Sequence, residues 1–266
     1  MIILKIIKCN NVKNNISILG CGWLGLPLAL TLTSKGYSIK GSTTSEIKVE
    51  ILNNNGVQPF IIDLSNRESE FEEFLNSEVL IIAIPSKNIA GFKNLISHIE
   101  NSNIKNILFI SSTSVYPNSN STVTEEHLTK KTPLSDIELL FKDNTKLKTT
   151  ILRFGGLIGY ERKPGNFFKN GKAINYPDSF INLIHRDDCI QIIKEIIVKN
   201  IWNKTLNACA DTHPKKRDFY RKEFKKEGRN NPTFKEFSPN EYKIINSDLL
   251  KSILNYNFIY SDLMKY

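Results

Sequence analysis

The sequence predicts an α/β protein, a Rossmann-type doubly wound parallel sheet with a smaller mixed C-terminal lobe. Three observations carry that prediction. Short Ile/Val/Leu runs alternate with helix-sized segments through the first two-thirds of the chain. A glycine-rich turn separates the first such run from the first helical pattern. The rhythm then breaks after Arg153, where Gly155, Gly156, Gly159, Pro164 and Gly165 mark loops. A chain of 266 residues suits one large domain with a modest appendage. The expected division is an extension (1–15), a Rossmann domain (16–160) and a smaller lobe (161–266) interleaved with it.

The expected strands are 16–20, 37–41, 59–62, 79–84, 106–111 and 149–153. Most are continuous apolar runs rather than strict alternations, as a sheet covered on both faces requires. Helical patterns fall between them at about 23–35, 45–55, 68–77, 88–102 and 134–144, and repeated βα units of this size build a parallel sheet. Beyond the break come a helix at 187–198, a short strand at 205–208, a basic helix at 215–229 and a final βα tail.

Composition excludes several classes. With 40% hydrophobic and 24% charged residues the chain is an ordinary globule, not collagen-like, low-complexity or disordered. Its four cysteines, at 9, 21, 189 and 209, have neither CxxC nor metal-ligand spacing, which predicts isolated reduced thiols and no metal site. No apolar run approaches the roughly 20 residues of a membrane helix. The apolar stretch 1–7 contains Lys5 and lacks a cleavage site, so it reads as an extra strand or an upstream-start addition rather than a signal peptide. The expected location is the cytoplasm.

The formal net charge is +9, concentrated at 215–229, where eight basic residues face three acidic ones. Phe219, Tyr220 and Phe224 punctuate this run at helical spacing. It reads as a solvated helix resting on an aromatic stripe, not a nucleic-acid site.

The strongest motif is Gly20-Cys-Gly22-Trp23-Leu24-Gly25, which follows a β run and opens an apolar helix. That context is what makes GxGxxG a dinucleotide loop: the first glycine turns tightly, the second admits a diphosphate and the third lets helix and strand close up. The second strand ends in Ser42, Thr43, Thr44 and Ser45, with no acid before Glu46. An acid at this point binds the ribose 2′-hydroxyl of NAD, whereas hydroxyls flanked by Lys40 and Lys48 suit a 2′-phosphate. NADP is therefore favoured, with NAD the alternative. Asp63 is a candidate for the adenine amino group, or else Asp63 or Ser65 caps a helix.

The ordered set of motifs resembles the extended short-chain dehydrogenase/reductases, the NAD(P)-dependent epimerase/dehydratase group. It comprises the glycine loop, Ala83-Ile84-Pro85, Ile110-Ser-Ser-Thr-Ser-Val-Tyr116-Pro, Leu152-Arg-Phe-Gly-Gly-Leu-Ile-Gly159 and Asn182-Leu-Ile-His-Arg-Asp-Asp188. The variant glycine loop and Asn207-Ala-Cys-Ala-Asp-Thr-His-Pro214 are similar to a little-characterised bacterial branch. The resemblance spans about residues 16–262. It implies hydride exchange between a nicotinamide and a carbonyl or hydroxyl carbon, on a sugar nucleotide or another small molecule. It also implies that Ser112 orients the reacting oxygen, and that Ala83, Ile84 and Pro85 line the cofactor.

The pattern departs from the family at one point. The family's acid–base pair is a tyrosine with a lysine four residues on, and none of the nine tyrosines here has that partner. Tyr116 is the candidate substitute, with packing as its other role. Glu125, Glu126 and His127 are further candidates in what reads as a solvated loop. His185 is expected to orient a loop, with substrate contact as its other role, Asp187 or Asp188 to favour a helix start, and Arg153 to meet either an anion or a buried partner. The alternative to an oxidoreductase with a degenerate site is a non-catalytic NAD(P)-binding sensor. The expected partner is a small molecule, with no nucleic acid and no membrane, and a homodimer is compatible with the reading.

Overall fold

Alternate residues of the central strands part into two cores, and this period of two sets the layering. In a computed structural model, which describes residues 15–66, 69–168, 171–236 and 241–266, the chain runs β1 (Asn15–Leu19), α1 (Gly25–Ser34), β2 (Ser38–Thr43), α2 (Glu46–Asn54), β3 (Gln58–Ile61), β4 (Val79–Ile82), α3 (Ile89–Ile99) and β5 (Asn106–Ser112). It continues through β6 (Thr122–Val123), α4 (Pro133–Lys142), β7 (Lys148–Phe154), β8 (Gly156–Ile158), β9 (Leu183–His185), α5 (Arg186–Val198) and β10 (Thr205–Ala208). The rest is α6 (Lys216–Lys226), β11 (Ile244–Ile245) and α7 (Asp248–Leu254). Ile16, Ile18, Val79, Ile81 and Leu108 face α1, α5 and α7, while Leu19, Leu80, Ile82, Ile107 and Phe109 face α3 and α4.

The seven-stranded sheet has the order β10-β7-β5-β4-β1-β2-β3, with every pairing parallel. The strand order reverses direction at β1 and β4, so a crevice opens at their carboxyl ends. Residues beyond 160 return to this sheet twice, as α5 packing on α1 and as β10 pairing with β7. The lobe beyond them is small: the parallel pairs β8–β9 and β6–β11, the helix α6, and a core around Phe219, Tyr220 and Leu263. The 1–15 extension and Cys9 lie outside the described residues, apart from Asn15, which opens β1.

Two expectations need correction. The 79–84 run stops as a strand at Ile82, leaving Ala83–Pro85 as the turn above the crevice. The helical pattern at 68–77 is not a helix: in the described part of it, Phe71, Phe74 and Leu75 are buried at helical spacing by a single turn. The carbonyls that would continue a helix are taken by the sheet instead. Ser17 donates to the carbonyl of Phe74, and the Lys40 ammonium donates to those of Glu73 and Asn76.

The basic helix forms as α6 and buries Phe219, Tyr220 and Phe224. Of its cations, Arg217 pairs with Asp178 and Glu236, and Lys222 donates to the carbonyls of Leu263 and Tyr266, while Arg221, Lys225 and Lys226 are exposed. Cys21, Cys189 and Cys209 are buried free thiols. Among the described residues no helix is long and apolar enough to cross a membrane.

Candidate dinucleotide and substrate site

The glycine loop joins β1 to α1 at the strand reversal. Gly20 has φ +99°, and a Cβ there would lie 2.3 Å from the Ile84 side chain; at Gly25 a Cβ would lie 2.1 Å from the Gly20 carbonyl oxygen. Glycine is required at both positions by packing alone. At Gly22 a Cβ would meet nothing within 4 Å. The protein leaves space there, at the turn that leads into α1, where the Gly22 carbonyl accepts from the Leu26 amide at 3.0 Å and the Leu24 carbonyl from the Leu28 amide at 3.1 Å. These residues fit a dinucleotide diphosphate.

The end of β2 differs in part from the expected phosphate pocket. Ser42 is buried, and its hydroxyl accepts from the Gly20 amide at 2.9 Å, so it shapes the loop rather than facing the crevice. Lys40 is tied to the carbonyls of the 73–76 turn. Thr43 accepts from the Ser45 amide at 3.1 Å, and Thr44 is exposed. Ser45 precedes α2 without capping it through its side chain. The Lys48 charge reaches the Cys21 thiol, yet burial dominates and pushes that thiol up to about 12. Asp63 makes a turn by accepting from the Ser65 amide at 2.8 Å; the cap role falls away because no helix follows among the described residues.

Ser112 ends β5 half-buried, and its oxygen accepts from the Ser114 amide at 3.1 Å. Its hydroxyl proton remains available to a ligand in the crevice. Tyr116 is placed differently from a substitute acid. It is 0% exposed, donates to Asn207 at 3.0 Å and accepts from Arg153 at 2.6 Å. Burial raises its pKa, so it is a packed, neutral phenol. Arg153 in turn grips the Glu138 carboxylate through Nε at 3.1 Å and through Nη2, which resolves its two sequence roles in favour of the buried partner.

The helix that should carry the tyrosine–lysine pair is α4, opened by a reciprocal Thr132–Ser135 cap with Pro133 in its first turn. Its buried positions are Ser135, Ile137, Glu138 and Phe141, none of them a phenol or an amine. Glu125 is not in a solvated loop as expected. It is half-buried, accepts from the Asn207 amide at 2.7 Å, and burial raises its pKa. Glu126 and His127 are exposed.

His185 caps α5, its Nδ1 accepting from the Asp187 amide at 3.2 Å, and its ring lies 3.8 Å from that of Tyr260. Burial lowers its pKa, which favours the neutral ring. Asp188 is fully buried and accepts from the Tyr256 hydroxyl and from the amides of Ile259 and Tyr260.

Sequence reasoning missed Lys243. Its ammonium donates to the Tyr116 carbonyl at 2.6 Å, and burial together with the nearby Lys130 charge lowers its pKa to about 8. Nothing in the sequence marks it, because the contact spans more than a hundred residues.

The seven-stranded parallel sheet with a glycine loop at its strand reversal defines a Rossmann-fold protein. UDP-glucuronic acid 4-epimerase from Bacillus cereus, in complex with NAD, shares this fold with TM-score 0.76 and 18% identity over 94% of this chain and 95% of that one. A functionally unknown conserved protein from Silicibacter pomeroyi shares it with TM-score 0.78 and 18% identity, over 95% and 96%. In sequence the chain is 27% identical to Protein YeeZ of Escherichia coli K12, over 93% of this chain and 96% of that protein. No protein-family model matches.

Proposed function

We propose that the chain binds a nicotinamide dinucleotide across the carboxyl ends of β1, β4 and β5, as an oxidoreductase of the epimerase/dehydratase type. The observation that carries this is Gly22, open to the crevice between two glycines that packing closes. The fold shared with an NAD-bound epimerase supports the reading. When bound, the dinucleotide would supply hydride exchange. Gly22 and the Trp23–Gly25 turn would hold its diphosphate, Ala83–Pro85 would line it, and Asp63 would meet the adenine.

The substrate class is a sugar nucleotide or another molecule with a carbonyl or hydroxyl carbon. The half-exposed Ser112 hydroxyl orients the reacting oxygen. The cofactor is NADP: Thr44, Ser45 and Lys48 at the start of α2 receive the 2′-phosphate, although Ser42 and Lys40 do not contribute. Parallel titrations with NADPH and NADH, read by calorimetry, test both points. Failure to bind either dinucleotide overturns the proposal, and an NADH preference overturns the 2′-phosphate assignment.

A sensor that binds the dinucleotide without turning over substrate is the second reading. The withdrawal of Tyr116 into the core favours it. Full dinucleotide affinity with no product from any carbonyl or nucleotide sugar would select it.

A further inference from the structure

Beside the glycine loop stands an arginine whose donors are only partly used. Arg186 begins α5, and its side chain is 12% exposed. Its guanidinium carbon lies 4.9 Å from the centre of the Trp23 ring and 3.8 Å from that of Tyr160. Nη1 donates to the Trp23 carbonyl at 3.3 Å. That carbonyl needs an outside donor, because its partner one turn along α1 would be the amide of residue 27, which is Pro27. Nε is buried and has no hydrogen-bond partner among the described residues, and the same holds for the Trp23 indole nitrogen.

The surrounding carboxylates do not neutralise this guanidinium. Glu161 approaches no closer than 3.8 Å and is 68% exposed. Asp187 instead accepts from the Tyr160 hydroxyl at 2.9 Å. A second cation joins the first, with Arg162 lying 5.5 Å from the Trp23 ring centre.

The strap that carries Tyr160 and Arg162 is built rather than loose. Gly159 and Arg162 bridge each other, and a Cβ on Gly159 would lie 2.4 Å from the His185 ring. The strap is thus seated on the residue that caps α5, and Tyr160 is fixed at φ +56° by Asp187 and Arg186.

We propose that Arg186 is a dinucleotide ligand, its guanidinium held against the Trp23 and Tyr160 rings to take a phosphate oxygen at the glycine loop, with Arg162 adding a second positive charge. This rests on the cofactor reading above. A planar guanidinium suits phosphate through paired donors, and contact with two rings fixes it before the ligand arrives. The assignment joins the two lobes at the cofactor, since the loop precedes α1 while the arginine and the strap belong to the chain beyond 155.

The experiment is calorimetric titration of NADPH and NADH into the full chain and into Arg186→Met and Arg186→Lys, at two salt concentrations, with circular dichroism to establish folding. The expected result is about 10–100-fold weaker binding for Arg186→Met, the size of a lost charge-assisted hydrogen bond, and a flatter salt dependence. Arg186→Lys keeps the charge without the flat fork, so intermediate affinity is expected; it also carries the test if Arg186→Met does not fold. Unchanged affinity in a folded variant overturns the assignment. Weaker binding with an unchanged salt dependence also overturns it, because Arg186 then only packs Trp23. If the unmodified chain binds neither dinucleotide, the cofactor reading itself has failed and the assignment falls with it.

Discussion

Arg153 and Glu138 form a buried two-pronged ion pair that ties β7 to α4, and Arg153 also reaches the Tyr116 hydroxyl. Removing one member leaves the other charge buried with only a hydroxyl for company, Tyr116 for Arg153 or Ser111 for Glu138. Arg153→Met or Glu138→Leu alone should cost about 3–5 kcal/mol in denaturant unfolding. The double variant should recover part of that loss, and simple additivity would refute the coupling.

Gly22→Val and Gly25→Ala should separate binding from folding. A Cβ at residue 22 meets no protein atom within 4 Å, whereas at residue 25 it lies 2.1 Å from a backbone oxygen. Gly22→Val should keep its melting temperature and lose dinucleotide binding. Gly25→Ala should melt several degrees lower. Thermal scans with and without NADPH measure both, and intact binding by Gly22→Val would move the diphosphate elsewhere.

Ser112→Ala should leave dinucleotide affinity nearly unchanged and lower any turnover by about 10²-fold, the size of a lost oxyanion donor. Absolute turnover on nucleotide sugars should be slow, since a missing acid–base pair typically costs about 10²–10⁴-fold. Tyr116→Phe should act on stability instead, by about 1–3 kcal/mol, because it leaves buried Asn207 and Arg153 groups short of a partner. An NADPH-coupled assay and urea unfolding distinguish the two patterns.

Lys243 gives a pH test. Its pKa is lowered from 10.5 to about 8 on folding, so between those values the unfolded chain holds more protons than the folded one. Its unfavourable contribution is therefore complete below pH 8 and is relieved as pH rises toward 10.5. Lys243→Met should be most favoured relative to the unmodified chain near pH 7, and that difference should shrink by pH 10. Urea midpoints across this range measure it, and a constant difference would refute the lowered pKa.

The sheet was legible in the sequence because its strands are nearly continuous apolar runs, and the glycine loop because only glycine fits at residues 20 and 25. What misled were local signals with distant answers. Phe71, Phe74 and Leu75 have the spacing of a helix, yet Ser17 and Lys40, more than thirty residues away, take the carbonyls. The Ser42–Ser45 hydroxyls look alike in sequence, but strand alternation turns Ser42 inward against Gly20. Glu125 and Lys243 are held by the Asn207 amide and the Tyr116 carbonyl, contacts that no local pattern records.

Asp188 sits at the start of α5, yet each of its three donors comes from residues 256–260. A growing chain on the ribosome therefore carries this carboxylate for some seventy residues before its donors are synthesised. They must then clear the exit tunnel before they can reach it. The α5 layer cannot close over the sheet with this carboxylate satisfied until residues 256–260 have emerged. A nascent protein stalled before residue 256 would expose the seat of α5 on α1, a surface that chaperones and proteases can read as unfinished.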